Sequence, residues 1–147
     1  MKSLKLLMLF AILLFVTQPV AFSQSNVTET FKEHFSETVQ QVKAANVADD
    51  KREILNTSFD KMIRATERIE SLGNLSSQDL EKMASLRSDI SEKLDELYGL
   101  NGFDEILDED LDDFSNYSQQ AMEQALDRTI SIGLGTAILV VLILLLL

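Results

Sequence analysis

The apolar residues of this chain fall into two patterns. From about Val27 to Leu126 they recur every three or four positions, the spacing that lines one face of an α-helix. At the two ends they form unbroken runs instead. No stretch alternates apolar and polar in the manner of a half-buried strand.

The spacing predicts four helical segments. Val27, Phe31, Phe35, Val39 and Val42 make the first stripe, opened by Asn26 with Glu29 or by Thr30 with Glu33 as a capping box. Continued further, that stripe lands on Asp49, Lys51 and Arg52, so its phase breaks between Val47 and Asp50. Asp50 with Glu53 reopens a helix whose face is Leu55, Phe59, Met62, Thr66, Ile69 and Gly73, widened by Ile54 and Ile63 and capped by Gly73-Asn74. Ser76 or Ser77 starts a third, with Leu80, Met83, Leu86, Ile90, Leu94 and Leu97 as its stripe. Asp60 with Arg64 and Asp89 with Lys93 are spaced as surface ion pairs. Tyr98 to Gly102 reads as a stop and turn.

In the fourth segment Phe103, Ile106, Leu107, Leu111, Phe114 and Tyr117 keep helical spacing, while seven of the ten residues from Asp104 to Asp113 are acidic. Ala121, Met122, Ala125 and Leu126 carry the pattern into the C-terminal run without Gly or Pro. The expected fold is all-α. Residues 24–102 form a small antiparallel helical bundle or coiled-coil hairpin, 103–128 an acidic stalk helix, and 129–147 a transmembrane helix that the stalk runs into.

The ends explain themselves by length. Lys2 and Lys5 precede an apolar run from Leu6 to Val16, too short to cross about 30 Å of hydrocarbon at about 1.5 Å per residue. Pro19 follows, and Ala21 and Ser23 place small residues three and one before a cut after Ser23. Residues 1–23 therefore read as a cleavable signal peptide. Ile130 to Leu147 carries no charge and reaches about 27 Å as a helix, enough to span. Ser115, Asn116 or Ser118 fit poorly as a GPI attachment site beside Tyr117 and Gln119-Gln120. The expected location is a single-pass membrane protein with most of the chain on the periplasmic or extracellular side. Sequons at Asn26, Asn56, Asn74 and Asn116 matter only in a eukaryote.

Composition narrows the chemistry. The absence of Cys excludes disulfides, thiolate metal sites, a Cys nucleophile and thiol-linked lipids. Eleven of the 13 basic residues and all 24 acidic ones lie beyond Ser23, so the mature chain would carry −13. Such a surface repels nucleic acid and anionic headgroups; it favours basic partners or divalent cations, or serves simply as a soluble, self-repelling exterior. His34 is the only histidine and stands without the neighbours a catalytic triad needs.

Asp108, Asp110 and Asp112 match positions 1, 3 and 5 of a calcium loop. The match fails at Asp113, where Gly is needed, and at Gln119, where a bidentate Glu belongs. In the C-terminal run Ser131 with Gly135, and Gly133 with Ala137, are small-residue pairs that let membrane helices approach closely. No cofactor motif is present. The sequence thus points to a non-enzymatic, membrane-anchored interaction or structural protein of the cell envelope. It would hold the bilayer by its C-terminal helix and engage a protein partner or itself. The alternative is a sensor-like bundle that binds a small ligand between its helices and acts through a separate membrane partner.

Overall fold

The computed structural model describes residues 24–71 and 75–130, and among their side chains 33–68, 70–71 and 75–128. The signal peptide, the Gly73-Asn74 cap, all but the start of the membrane helix and the pairs Ser131–Gly135 and Gly133–Ala137 lie outside these residues. The side chains of Val27, Phe31 and Ile69 lie outside them too.

The described chain is all-helical: α1 (Gln24–Ala44), α2 (Ala48–Ser71), α3 (Ser77–Tyr98), a single 3-10 turn (Asp108–Asp110) and α4 (Leu111–Ile130). Among the described residues, no helix is long and apolar enough to cross a membrane.

The helices pack in a ring, α1 on α2, α2 on α3, α3 on α4 and α4 back on α1, with α2 also touching α4 across the centre. Cross-links fix the direction of each. Phe35 meets Phe59 and Thr38 meets Ser58, so α1 and α2 run antiparallel. Glu70 reaches Arg87 and Arg52 reaches Leu97, which sets α2 against α3. Lys93 meets Tyr117 and Asp89 meets Arg128, which sets α3 against α4. The result is an up-down-up-down four-helix bundle.

The core follows the heptad arithmetic of such bundles. Leu55, Phe59, Met62 and Thr66 of α2 are buried, as are Met83, Leu86, Ile90, Lys93 and Leu97 of α3. On α4 the seam is Leu111, Ser115, Ser118, Met122 and Ala125, two of its five positions being small hydroxyls. Ile54, Ile63 and Leu94 flank the core half-buried, where the sequence placed them.

Three expectations are corrected. The acidic segment is not a stalk standing apart: from Leu111 it is the fourth helix of the bundle, with Leu111, Phe114, Met122 and Leu126 in the shared core. Nor does its helix start at Phe103. Residues 103–107 are non-helical, because Asn101 and Gly102 both take positive φ and Arg52 of α2 then binds the backbone beyond them. Finally, Asp89 turns to Arg128 at 3.1 Å rather than to Lys93, whose amine is drawn inward by Glu96 and Tyr117.

The ends of α3 show how local chemistry sets the boundaries. The Ser76 hydroxyl accepts the Asp79 N–H at 3.2 Å and donates to the Asp79 carboxylate at 2.7 Å, closing the first turn. At the other end Gly99 sits at φ 64, and the N–H of Leu100 bonds the Asp95 carbonyl at 2.8 Å. This is the glycine-terminated helix stop. A Cβ on Gly99 would also lie 2.7 Å from the Glu105 backbone nitrogen. Gly99→Ala is therefore expected to cost about 1–3 kcal/mol in urea unfolding, from left-handed strain and this clash together. Gly102→Ala, with open space around the added carbon, costs less.

Candidate functional site

The topology puts two connections at one end of the bundle: the turn between α1 and α2 and the longer loop between α3 and α4. The start of α1, the α2–α3 connection and the end of α4 lie at the other end. The two ends differ in chemistry. Of the seven large hydrophobic side chains exposed among the described residues, five lie at the first end: Val47, Tyr98, Leu100, Phe103 and Leu107. Leu107 is the most open, at 59% exposure. The exceptions are Leu80, at the other end, and Tyr117, further along α4. We refer to the first end as the loop end.

The loop is held open by Arg52, whose own side chain is only 14% exposed. Its guanidinium donates to the Leu97 carbonyl at 2.8 Å, to the Ile106 carbonyl and to the Asp108 carboxylate at 2.9 Å, with Glu105 at 3.4 Å. Leu97 contributes one of the last carbonyls of α3, a helix with no basic residue in its last turn. Arg52 thus supplies from α2 the cation that this helix terminus favours. Beside it Lys51 binds Asp112 at 2.6 Å, and Lys43 of α1 donates to the Asn116 side chain at 3.0 Å.

These contacts divide the acidic residues into two sets. Glu105, Asp108 and Asp112 are engaged by cations. Asp104, Glu109, Asp110 and Asp113 are exposed, with no cation in ion-pair range among the described residues. Arg52, Glu105, Ile106, Leu107, Asp108 and Glu109 line an open notch of about 370 Å³. The candidate cation ligands are accordingly split: Asp108 pairs with Arg52 and Asp112 with Lys51, while Asp110 makes no ion pair among the described residues. Among the described residues no group of three or more His, Cys, Asp or Glu side chains could hold a metal ion.

A second hollow, about 500 Å³, runs between α1 and α2 and is lined by His34, Glu37, Thr38, Gln41, Asp50, Glu53, Ser58 and Lys61, among others. At its floor the Thr38 and Ser58 hydroxyls bond each other at 3.2 Å, and Thr38 Oγ1 also donates to the His34 carbonyl at 3.2 Å. The His34 ring meets Phe35 edge-on at 6.4 Å, and its Nε2 is buried without a hydrogen-bond partner among the described residues. Burial lowers the imidazole below its ordinary 6.5, Lys61 adds to this, and Glu37 opposes it.

The fold therefore prefers His34 neutral, whereas the unfolded chain takes up the proton first as pH falls. Stability from this group is complete above about pH 6.5 and drains away as acid is added. Wild-type unfolding midpoints are expected to fall between about pH 7.5 and pH 5.5, above the main carboxylate range. His34→Gln, which removes the only histidine, should flatten that slope.

Lys93 is the residue that sequence reasoning missed. It sits 6% exposed between α3 and α4, donating to Glu96 and to the Tyr117 hydroxyl at 3.1 Å, with the Tyr117 ring centroid 4.7 Å from its amine. Burial alone would lower its pKa, but Glu96 and Tyr117 outweigh that and hold it above the ordinary 10.5. Its place between Ile90 and Leu97 on the stripe was the available signal. Comparison with protein-family models, with curated proteins and with solved structures finds no match.

Proposed function

We propose that this chain is a non-enzymatic, membrane-anchored interaction protein of the cell envelope, whose bundle presents its loop end to a protein partner. One observation carries the reading: α4 heads toward the uncharged C-terminal run from one end of the bundle, and the exposed apolar side chains gather at the other. A signal peptide at 1–23 and a membrane helix at 129–147 would place the bundle on the periplasmic or extracellular face. The loop end would then stand about 30 Å from the bilayer, the length of a 20-residue helix such as α4. Anchoring raises the effective concentration of such a surface near envelope partners.

In-cell crosslinking of the tagged full-length protein, with mass spectrometry of the adducts, tests this. A discrete foreign partner linked through the loop end supports it. Crosslinks only between copies, along the Ser131–Gly135 face or the helical seams, would make the chain a self-assembling structural element instead.

The hollow between α1 and α2 favours a second reading, a ligand-binding sensor-like bundle, because its volume falls in the range of small-molecule sites. A thermal-shift screen that finds no stabilising compound would count against it.

A further inference from the structure

We propose that the loop end is a docking surface for a basic, apolar-containing segment of a partner protein. This rests on the interaction reading above and names the partner's chemistry.

Two features of the loop converge on that occupant. Leu100, Phe103 and Leu107 are exposed although the bundle has a full core for such residues to join. The helix stop at Gly99 and the positive φ at Asn101 and Gly102 turn the backbone away from that core. Arg52 then grips the Ile106 carbonyl, and Leu107 stands outside the bundle. Apolar side chains held out by dedicated contacts mark a surface awaiting a partner rather than a defect of packing.

The charges around them decide which partner. Arg52 and Lys51 engage Glu105, Asp108 and Asp112, two cations against three carboxylates, and Asp104, Glu109, Asp110 and Asp113 are exposed beyond them. No Lys or Arg occurs between Gly99 and Asp127 to offset them. A Lys or Arg side chain laid into the notch beside Leu107 would rest its methylene stem on Ile106 and Leu107 and bring its head to Glu109.

Other occupants fit less well. A second copy would bring the same unbalanced carboxylates face to face. Anionic lipid is repelled for the same reason. The described chain begins and ends at the opposite end of the bundle.

The test uses the full-length protein in phosphatidylcholine nanodiscs, with empty discs as blank. Three labelled peptides of equal length are titrated. The first alternates Lys and Ser with Leu at two central positions, the second replaces both Leu by Ser, and the third replaces every Lys by Glu. Binding of the first is expected, with the second about tenfold weaker, equivalent to about 1.4 kcal/mol, and the third undetectable.

The double variant Leu100→Ser with Leu107→Ser should weaken the first peptide about tenfold with little change in melting temperature, since these side chains are 50% and 59% exposed. Replacing Asp104, Glu109, Asp110 and Asp113 by their amides should weaken it similarly and flatten its salt dependence. No binding of the first peptide, equal binding of the Lys and Glu peptides, or wild-type affinity in both variants overturns the proposal. So does a dimer in sedimentation equilibrium that Leu107→Ser dissociates. These outcomes report peptide affinity and self-association alone, whereas entry of the chain into the discs bears on the membrane reading, so the two fail separately.

Discussion

Phe59→Ala is expected to lower the stability of the bundle by about 3–5 kcal/mol, the range for truncating a large buried aromatic. Phe59 is fully buried on α2 and meets the equally buried Phe35 of α1 at 6.3 Å between ring centroids. The substitution thus removes transfer free energy, leaves a cavity between two helices and breaks an aromatic pair worth about 0.5–1.5 kcal/mol beyond its area. Small domains hold only about 5–15 kcal/mol in total. The variant should therefore lose a large part of its unfolding midpoint in urea, followed by helical circular dichroism. Thr57, exposed two residues earlier on the same helix, is the control. Thr57→Ala should stay within about 0.5 kcal/mol of wild type.

The second large effect is expected at Arg52. Arg52→Met keeps an apolar stem but removes the donors to the Leu97 and Ile106 carbonyls and the cation facing Asp108 and Glu105. Two backbone acceptors then lose their partner and the C-terminal end of α3 loses its cation, a combined cost of about 2–3 kcal/mol. The effect should be local as well as global. Amide exchange across the loop from Gly99 to Asp110 should quicken more than in the seam of α2. Arg52→Lys should recover less than half of the loss, since an ammonium cannot fork to two carbonyls and a carboxylate at once. If the loop end is the working surface, Arg52→Met also weakens partner binding without touching an exposed residue.

These two residues show what periodicity can and cannot reveal. Phe59 stands on a stripe with a four-three alternation, and that alternation alone places it in a helical core. The stop at Tyr98–Gly102 was legible from glycine and asparagine. Phase loss also announced the break before α2, but it falls at residues 45–47, and Asp50 lies within the first turn of α2 instead of capping it.

Phe103, Ile106 and Leu107 mislead because their spacing is helical. The decision against a helix comes from the positive φ at Asn101 and Gly102 together with Arg52, 54 positions before Ile106, binding the Ile106 carbonyl. Lys93 and Ser115 of α4 are hidden for a related reason. Ser115 satisfies its hydroxyl on the Asp112 carbonyl, and Lys93 satisfies its charge on Glu96 and Tyr117, so polar residues occupy seam positions that an apolar count passes over. The surface proposed as functional was therefore visible as composition, an acidic run with apolar interruptions. Its geometry depends on tertiary contacts that no local pattern encodes.

The central claim, a bundle tethered to a membrane by the C-terminal run, is tested most directly by alkaline carbonate extraction of membranes from cells expressing the full chain. A chain lacking residues 129–147 serves as the comparison. The account predicts that the full chain stays in the membrane pellet and that the truncated chain is released to the supernatant. Complete extraction of the full chain would contradict it.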